Sequence, residues 1–137
     1  MAVCAARAGA LAFGLWAGPV QAAELVMVEQ TGCPWCEAWD AEIAPAYPKT
    51  EAGKRAPLRR VDLHDLPEDI AFESPPVFTP TFVLVDEGQE LQRIEGYAGD
   101  QFFWFLLDQM IDAHPMATAP VPEAGQADEP LQEERVE

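Results

Sequence analysis

Two cysteines with two residues between them are the most reactive feature of this 137-residue chain. They form the segment Cys33-Pro34-Trp35-Cys36, which follows an apolar run and precedes residues with helical spacing. At the start of a helix the first thiol lies beside backbone N–H groups that lack a partner in the helix, and these groups stabilise a thiolate. We therefore expect Cys33 to ionise more readily than a free cysteine and to act as a nucleophile in disulfide exchange. Cys36, one turn into the helix, is then placed to resolve a mixed disulfide.

Other uses of this cysteine pair are less consistent with the sequence. A c-type haem site needs a histidine after the second cysteine, where Glu37 stands. A structural zinc site needs four ligands, and His64 and His114 lie outside the spacing of a zinc finger. We expect no metal and no cofactor beyond a redox-active Cys33–Cys36 disulfide. An inert structural disulfide stays open as an alternative, although so short a bridge constrains little of the chain.

The cysteine pair lies within a predicted alternation of strands and helices. Residues 24–29 form an apolar run typical of a buried strand, and a helix follows from near Cys33 until Pro45. After a loop over 49–57, we predict a second strand over 58–63 and a short helix from Asp65 to Phe72. For the remaining residues we predict an extended segment (73–80), a hairpin (81–85 and 90–95) and a last helix (101–113) capped by Asp100.

Composition limits the classes of partner. The chain has 24 acidic and 8 basic residues and a formal net charge of −16, which argues against nucleic-acid binding. Five of the basic residues lie between Lys49 and Arg60. This basic cluster predicts either a solvated loop and strand face or a contact with an anionic partner.

The two ends of the chain differ from its centre. Residues 1–22 combine Arg7, a short apolar run and small residues before a cleavage point, which predicts a cleaved signal peptide. The alternative, a transmembrane anchor, needs about 20 apolar residues. Residues 115–137 are rich in proline and acids and predict an acidic disordered tail. The folded domain is therefore predicted at 23–114, in an exported protein without stable membrane insertion.

The cysteine pair, the element order and the segment Thr79-Pro80-Thr81 together resemble the thioredoxin superfamily. The resemblance implies an α/β, thioredoxin-like fold with a central mixed four-stranded sheet flanked by helices, in the order β-α-β-α-β-β-α. It also implies that Pro80 follows a cis peptide bond and faces the cysteines. Thr79 and Pro80 would then bind the substrate backbone, while Pro34 and Trp35 frame the substrate groove.

A narrower resemblance is to the SoxS-type periplasmic thioredoxins of bacterial sulfur-oxidation gene clusters. It is carried by Gly32-Cys-Pro-Trp-Cys36, Trp39, Glu42-Ile43, Pro45, Tyr47-Pro48-Lys49-Thr50 and Gly96-Tyr97 through Phe102-Phe103-Trp104. It implies a periplasmic thiol reductase for the cysteine-carrying protein of the sulfur-oxidation system, with a membrane thiol transporter as electron donor. A general disulfide oxidase or isomerase and a non-catalytic thioredoxin-fold binding module are the alternatives.

One position departs from the thioredoxin pattern. Thioredoxin has a buried aspartate six residues before its first cysteine, which accepts a proton, and Met27 stands there in this chain. Glu29 is expected on the same face of the strand, since side chains alternate along it. Glu29 is therefore a candidate proton acceptor, and the alternative is that it points into solvent.

Overall fold

Four short segments form one mixed sheet in the computed structural model, which describes residues 23–115. The strands are β1 (Glu24–Glu29), β2 (Leu58–Asp62), β3 (Thr81–Asp86) and β4 (Gln89–Glu95), and their spatial order is β2-β1-β3-β4. β2 runs parallel to β1, whereas β1 and β3, and β3 and β4, are antiparallel. The central strands β1 and β3 are buried along most of their length, which explains their continuous apolar sequences. The predicted α/β fold with a mixed four-stranded sheet flanked by helices is confirmed.

Three helices accompany the sheet: α1 (Pro34–Glu42), α2 (Glu51–Arg55) and α3 (Asp100–Ala113). A 3-10 turn over Tyr47–Lys49 precedes α2, where the sequence predicted only a loop. Thr50 is the N-cap that starts α2. Its hydroxyl accepts a hydrogen bond from the Gly53 N–H (3.0 Å) and donates one to the Tyr47 carbonyl (2.7 Å). At α3 the N-cap is Gly99, and Asp100 is the first helical residue rather than the cap.

The predicted helix from Asp65 to Phe72 is wrong, so the second helix lies before β2 and not after it. The segment is irregular and is bonded to the β3–β4 hairpin. The Ala71 N–H donates to the Gly88 carbonyl (2.7 Å), and the Glu90 N–H donates to the Ala71 carbonyl (3.2 Å). Ile70 is buried against the sheet in this conformation. Tertiary hydrogen bonds and burial therefore override the local capping signal of Asp65 and Glu68.

The larger core lies between the sheet and helices α1 and α3. Its centre is aromatic: the Trp39 ring lies 5.2 Å from Phe82 and 5.7 Å from Phe103, centroid to centroid. Tyr47 stacks on Trp104, and its hydroxyl donates to the Ala56 carbonyl (2.7 Å). These contacts fix α1, and with it the cysteine pair, against the sheet.

Helix α3 buries one side and leaves aromatic residues on the other. Its fully or nearly fully buried residues are Phe103, Leu107, Met110 and Ile111. Leu106 is half-buried, while Phe102 and Phe105 are exposed. The opposite face of the sheet holds a smaller core of Val26, Val28, Ile70, Val83 and Val85. The predicted signal peptide (1–22) and all but the first residue of the predicted tail (115–137) lie outside the described residues.

Candidate active site

Cys33 and Cys36 form a disulfide at the N-terminus of α1, with their Cα atoms 5.3 Å apart. Cys33 is the N-cap in an extended backbone conformation, and Pro34 occupies the first turn, where its missing N–H costs no helical hydrogen bond. Gly32 has a φ of 75°, a left-handed conformation that turns the chain from β1 into the helix. Trp35, between the cysteines, is 62% exposed.

One hydrogen bond distinguishes the two sulfur atoms. The backbone N–H of Cys36 donates to Sγ of Cys33 at 3.1 Å, so Cys33 caps the helix with its sulfur. Exposure does not separate them, because Cys33 is 5% and Cys36 4% exposed. A thiolate on Cys33 would receive both this hydrogen bond and the field of the helix N-terminus.

The segment that contains Pro80 lies beside the cysteine loop. The Thr79–Pro80 peptide bond is cis, which confirms the conformation implied by the thioredoxin resemblance. The β1–β3 register ends at Val28 and Thr81; Gln30 lies two residues after Val28, and Thr79 lies two residues before Thr81. Gln30 Nε2 donates to Thr79 Oγ1 at 2.9 Å, and the Gly96 N–H donates to the Pro80 carbonyl at 2.7 Å. Thr79 and Pro80 thus lie across the sheet end from the loop that leads to Cys33.

Two exposed apolar residues precede the cis-proline. Val77 is 68% and Phe78 60% exposed, and with Trp35 they make up three of the five large exposed apolar side chains in the described part of the chain. The sequence reading missed Val77 and Phe78. The available signal was their position within a run of prolines, Pro75-Pro76-Val77-Phe78-Thr79-Pro80, which is too extended to fold its apolar side chains into a core.

A cavity of about 290 Å³ opens beside the disulfide, and four of its nine lining residues are acidic. It is lined by both cysteines, by the carboxylates of Glu29, Glu37, Asp40 and Asp62, and by Gln30, Thr31 and Gly32. Glu29, the candidate proton acceptor, is therefore near the cysteines rather than on a remote surface. Met27 is fully buried in the same core cluster as the cysteines.

Arg60 is the counter-charge for this acidic surface. Its Nη1 donates to Glu29 Oε2 at 2.7 Å, its Nη2 donates to Asp40, and its guanidinium lies 5.6 Å from the centre of the Trp39 ring. The hydrogen bond to Asp40, with a further contribution from Glu29, raises the pKa of Arg60 despite the opposing effect of burial. Sequence reasoning missed this role for Arg60 and Asp40, because it depends on the register that sets Arg60 beside Met27 on β1.

Two further residues of the basic cluster are also paired with acids. Arg59 binds Asp69 through two hydrogen bonds (2.8 and 3.0 Å) and Glu24 through one (3.1 Å). Lys54 pairs with Glu51 one helical turn away. The contact with Asp69 joins β2 to the irregular segment that leads to the cis-proline.

A second ion pair holds the same segment from the other side. Arg93 donates to both carboxylate oxygens of Glu90 (2.6 Å each) and to the Ser74 carbonyl (2.7 Å). The Glu73 N–H donates to Glu90 at 2.8 Å. Burial pushes the pKa of Glu90 up, but the hydrogen bonds from Arg93 and Glu73 outweigh it, so the pKa lies below its usual 4.5.

Residues 23–115 contain no group of three or more His, Cys, Asp or Glu side chains arranged to hold a metal ion. Within the same range, no helix has the length and apolar character needed to cross a bilayer.

A disulfide of this spacing at a helix N-terminus, beside a cis-proline on a mixed four-stranded sheet, defines the thioredoxin class of thiol–disulfide oxidoreductases. Seven chains of solved structures match this protein. The periplasmic thioredoxin SoxS from Paracoccus pantotrophus, in its reduced form, is 47% identical, with 66% of this chain and 96% of that chain covered and a TM-score of 0.64. This chain therefore belongs to the SoxS family of periplasmic thioredoxins.

A thioredoxin of Malassezia sympodialis, Mala s 13, is 25% identical, with 64% of this chain and 74% of that chain covered and a TM-score of 0.48. No protein-family model and no curated protein matches the chain.

The Glu90–Arg93 pair predicts a pH-dependent contribution to stability. Glu90→Gln removes the charge that Arg93 and the Glu73 N–H bind, and we expect a loss of about 2 kcal/mol in the free energy of unfolding near neutral pH. Because the folded pKa of Glu90 is depressed, its contribution is present above the unfolded pKa of about 4.5 and is lost as the pH falls through the folded pKa. The difference between wild type and variant should therefore shrink in urea unfolding as the pH falls below about 4.5.

The matched control is Glu95→Gln on the same strand. Its carboxylate lies 3.7 Å from Arg93 and is 47% exposed, so a change below about 0.5 kcal/mol is expected. Equal effects of the two substitutions, or a Glu90→Gln effect that is independent of pH, would contradict this account of the ion pair.

Proposed function

We propose that this protein is an exported thiol–disulfide reductase that reduces or reactivates a cysteine-carrying partner of a sulfur-oxidation system. The observation that carries the proposal is the Cys33–Cys36 disulfide at the N-terminus of α1, in a chain 47% identical to a periplasmic SoxS. The thiol–disulfide chemistry follows from the family. The direction of electron flow, the partner and the exported location are proposals.

In the proposed mechanism the reduced protein begins as a Cys33 thiolate and a Cys36 thiol. The Cys33 sulfur attacks one sulfur of the partner disulfide, a Cys33–partner disulfide forms, and the other partner sulfur leaves as a thiolate. Cys36 then loses its proton and attacks Sγ of Cys33, which releases the second partner thiolate and forms the Cys33–Cys36 disulfide. Two electrons pass to the partner, and its two sulfurs take up protons. The Cys36 N–H, bonded to Cys33 Sγ at 3.1 Å, supports Cys33 as the attacking residue.

The surface around the disulfide favours a polypeptide as substrate. Trp35, Val77 and Phe78 offer exposed apolar side chains, and their burial by a partner would be favourable. Thr79 and Pro80 would bind the partner backbone, because Thr79 is partly exposed and is hydrogen bonded to Gln30, just before the cysteine loop. Pro34 and Trp35 would form the opposite wall of this groove.

Each turnover leaves the protein as the disulfide, so a reductant is needed to restore the thiols. A dithiol protein supplied with electrons across the membrane, a membrane thiol transporter, is the class of donor that an exported reductase requires. It would attack the Cys33–Cys36 disulfide by the same exchange reaction in reverse.

The direction of electron flow is tested by the reduction potential of the Cys33–Cys36 pair, equilibrated against a thiol buffer. Trp35 lies between the two cysteines and Trp39 lies one turn after Cys36, so both serve as fluorescence reporters. For a reductase we expect a reduction potential of about −270 mV, the value typical of thioredoxin. A value near about −120 mV would indicate an oxidant that introduces disulfides and would overturn the proposed direction.

The partner is tested with a Cys36→Ser variant, which keeps the Cys33 nucleophile and removes the residue that resolves the mixed disulfide. We expect it to accumulate one dominant mixed disulfide with a cysteine-carrying protein of the sulfur-oxidation system, identified by mass. Cys33→Ser is the matched control and should trap nothing, because Cys36 lacks the N-cap hydrogen bond. An assortment of unrelated disulfide proteins would count against a dedicated partner, and trapping by Cys33→Ser would reverse the roles of the two cysteines.

Glu29 is proposed to accept the proton that Cys36 loses. It lines the cavity that both cysteines share, and its carboxylate is bound by Arg60. In Glu29→Gln we expect the pH profile of disulfide exchange to shift to higher pH, because the amide cannot take up the proton. The matched control is Glu37→Gln, which changes the charge of the same cavity at an exposed position. An unchanged profile in Glu29→Gln, or the same shift in both variants, would remove this role.

A further inference from the structure

Three segments of the chain meet at the end of the sheet beside the disulfide, and Gln30 lies between them. The antiparallel register of β1 and β3 ends at Val28 and Thr81, and just beyond it the Gln30 side chain is hydrogen bonded to Thr79. The parallel pairing of β1 and β2 continues past the strands, where the Leu63 N–H donates to the Glu29 carbonyl at 2.8 Å. Gln30 is therefore flanked by the residues that follow β2 on one side and by the cis-proline segment on the other.

The Gln30 side-chain amide is bonded at both of its ends. Its Nε2 donates to Thr79 Oγ1 at 2.9 Å, and its Oε1 lies 3.3 Å from His64 Nε2. With the amide in this orientation, the imidazole N–H of His64 donates to the amide oxygen and the amide nitrogen faces Thr79. His64 is itself held by its backbone N–H, which donates to Asp62 Oδ1 at 2.8 Å. In this arrangement the Thr79 hydroxyl oxygen is the acceptor of the Gln30–Thr79 hydrogen bond.

This direction determines what the Thr79 hydroxyl can offer. Its oxygen accepts from Gln30, so its own proton must go to a different acceptor. Within residues 23–115 no acceptor lies in hydrogen-bond range of that proton, although Thr79 is only half-exposed. Thr79 therefore presents an unused donor immediately before the cis-proline, in the segment tied to the cysteine loop.

We propose that Gln30 is a positioning residue for the protein substrate: it fixes the Thr79 hydroxyl so that its proton is donated to a backbone carbonyl of the bound partner chain. This inference rests on the proposed function, in which Thr79 and Pro80 contact the substrate. Gln30 does not touch the reacting sulfurs in this role, and it acts through Thr79. It determines how well a polypeptide binds and not how fast the sulfurs exchange.

The test uses the purified reduced protein, mixed with an excess of insulin as the polypeptide disulfide and followed by tryptophan fluorescence over a single turnover. In Gln30→Met we expect the half-saturating insulin concentration to rise about five-fold, the effect of one hydrogen bond. The limiting rate should change far less, because only binding is affected. Hydroxyethyl disulfide, a small neutral probe without a peptide backbone, should show a much smaller change in its exchange rate.

Two further variants test the direction of the hydrogen bond. In Gln30→Glu the carboxylate only accepts, so the Thr79 hydroxyl must donate to it and its proton is lost to the partner. This nearly isosteric variant should raise the half-saturating concentration about as much as Thr79→Val does. Thr79→Ser, which keeps the hydroxyl, should recover most of the loss. Combining Gln30→Met with Thr79→Val should add little to either single effect, because the two residues act as one unit.

Gln109→Met, at an exposed position on α3, is the matched control for the glutamine substitutions. Thermal unfolding of every variant identifies any that fail to fold. If Gln30→Met is one of these, the insulin binding of Gln30→Glu decides the test. The proposal is overturned if Gln30→Met and Gln30→Glu bind insulin as the wild type does. It is also overturned if the fold-change in half-saturating concentration of the double variant equals the product of the Gln30→Met and Thr79→Val fold-changes. Failure of the wild type itself to reduce insulin would instead count against the proposed function.

Discussion

The antiparallel pairing of β1 with β3 is the constraint on which the site depends. β1 delivers the chain to Gly32 and Cys33, and β3 begins at Thr81, directly after the cis-proline. Because the two strands are buried neighbours in a fixed register, the end of one and the start of the other meet at the same edge of the sheet. A shift of one residue would reverse the faces of the alternating side chains and would bury Glu29 or Gln30 in the wrong core. The hydrophobic burial of two short strands thus determines the geometry of the redox site, whose cysteines belong to the core between the sheet and helices α1 and α3.

The charge arrangement beneath the disulfide follows from the neighbouring parallel pair. β2 sets Arg60 beside β1, where one guanidinium binds Glu29 and Asp40 and covers the Trp39 ring. Glu29 and Asp40 lie next to a centre that must carry a thiolate, and an uncompensated carboxylate there would disfavour that charge. Arg60 offsets them, while Glu37 and Asp62 add two further acidic residues to the cavity lining.

Much of the fold and the cysteine pair could be predicted from the sequence, because both depend on local signals. The apolar runs of β1 and β3, the helix that starts at Pro34 and the disulfide of Cys33 and Cys36 all follow from spacing within a few residues. Apart from α2 and the cap of α3, which are local, the errors concern features that only tertiary contacts decide. The segment from Asp65 to Phe72 has a helix-capping signal, but Ala71 bonds to the hairpin instead. Arg60, Asp40 and Gln30 gain their roles from strand register, which no local pattern reveals.

The chain between β2 and β3 packs Ile70 against the face of the sheet opposite α1, and then continues to Val77, Phe78 and Thr79. The cysteines belong to the core on the other face, with Trp39 and Phe103. Two separately anchored parts of one small domain therefore supply the sulfur chemistry and the surface proposed to contact the partner. Substitutions in the second part can change which protein is recognised without repacking the first. Such a division would let related proteins evolve to reduce new partner proteins while the cysteine pair and its surroundings stayed the same.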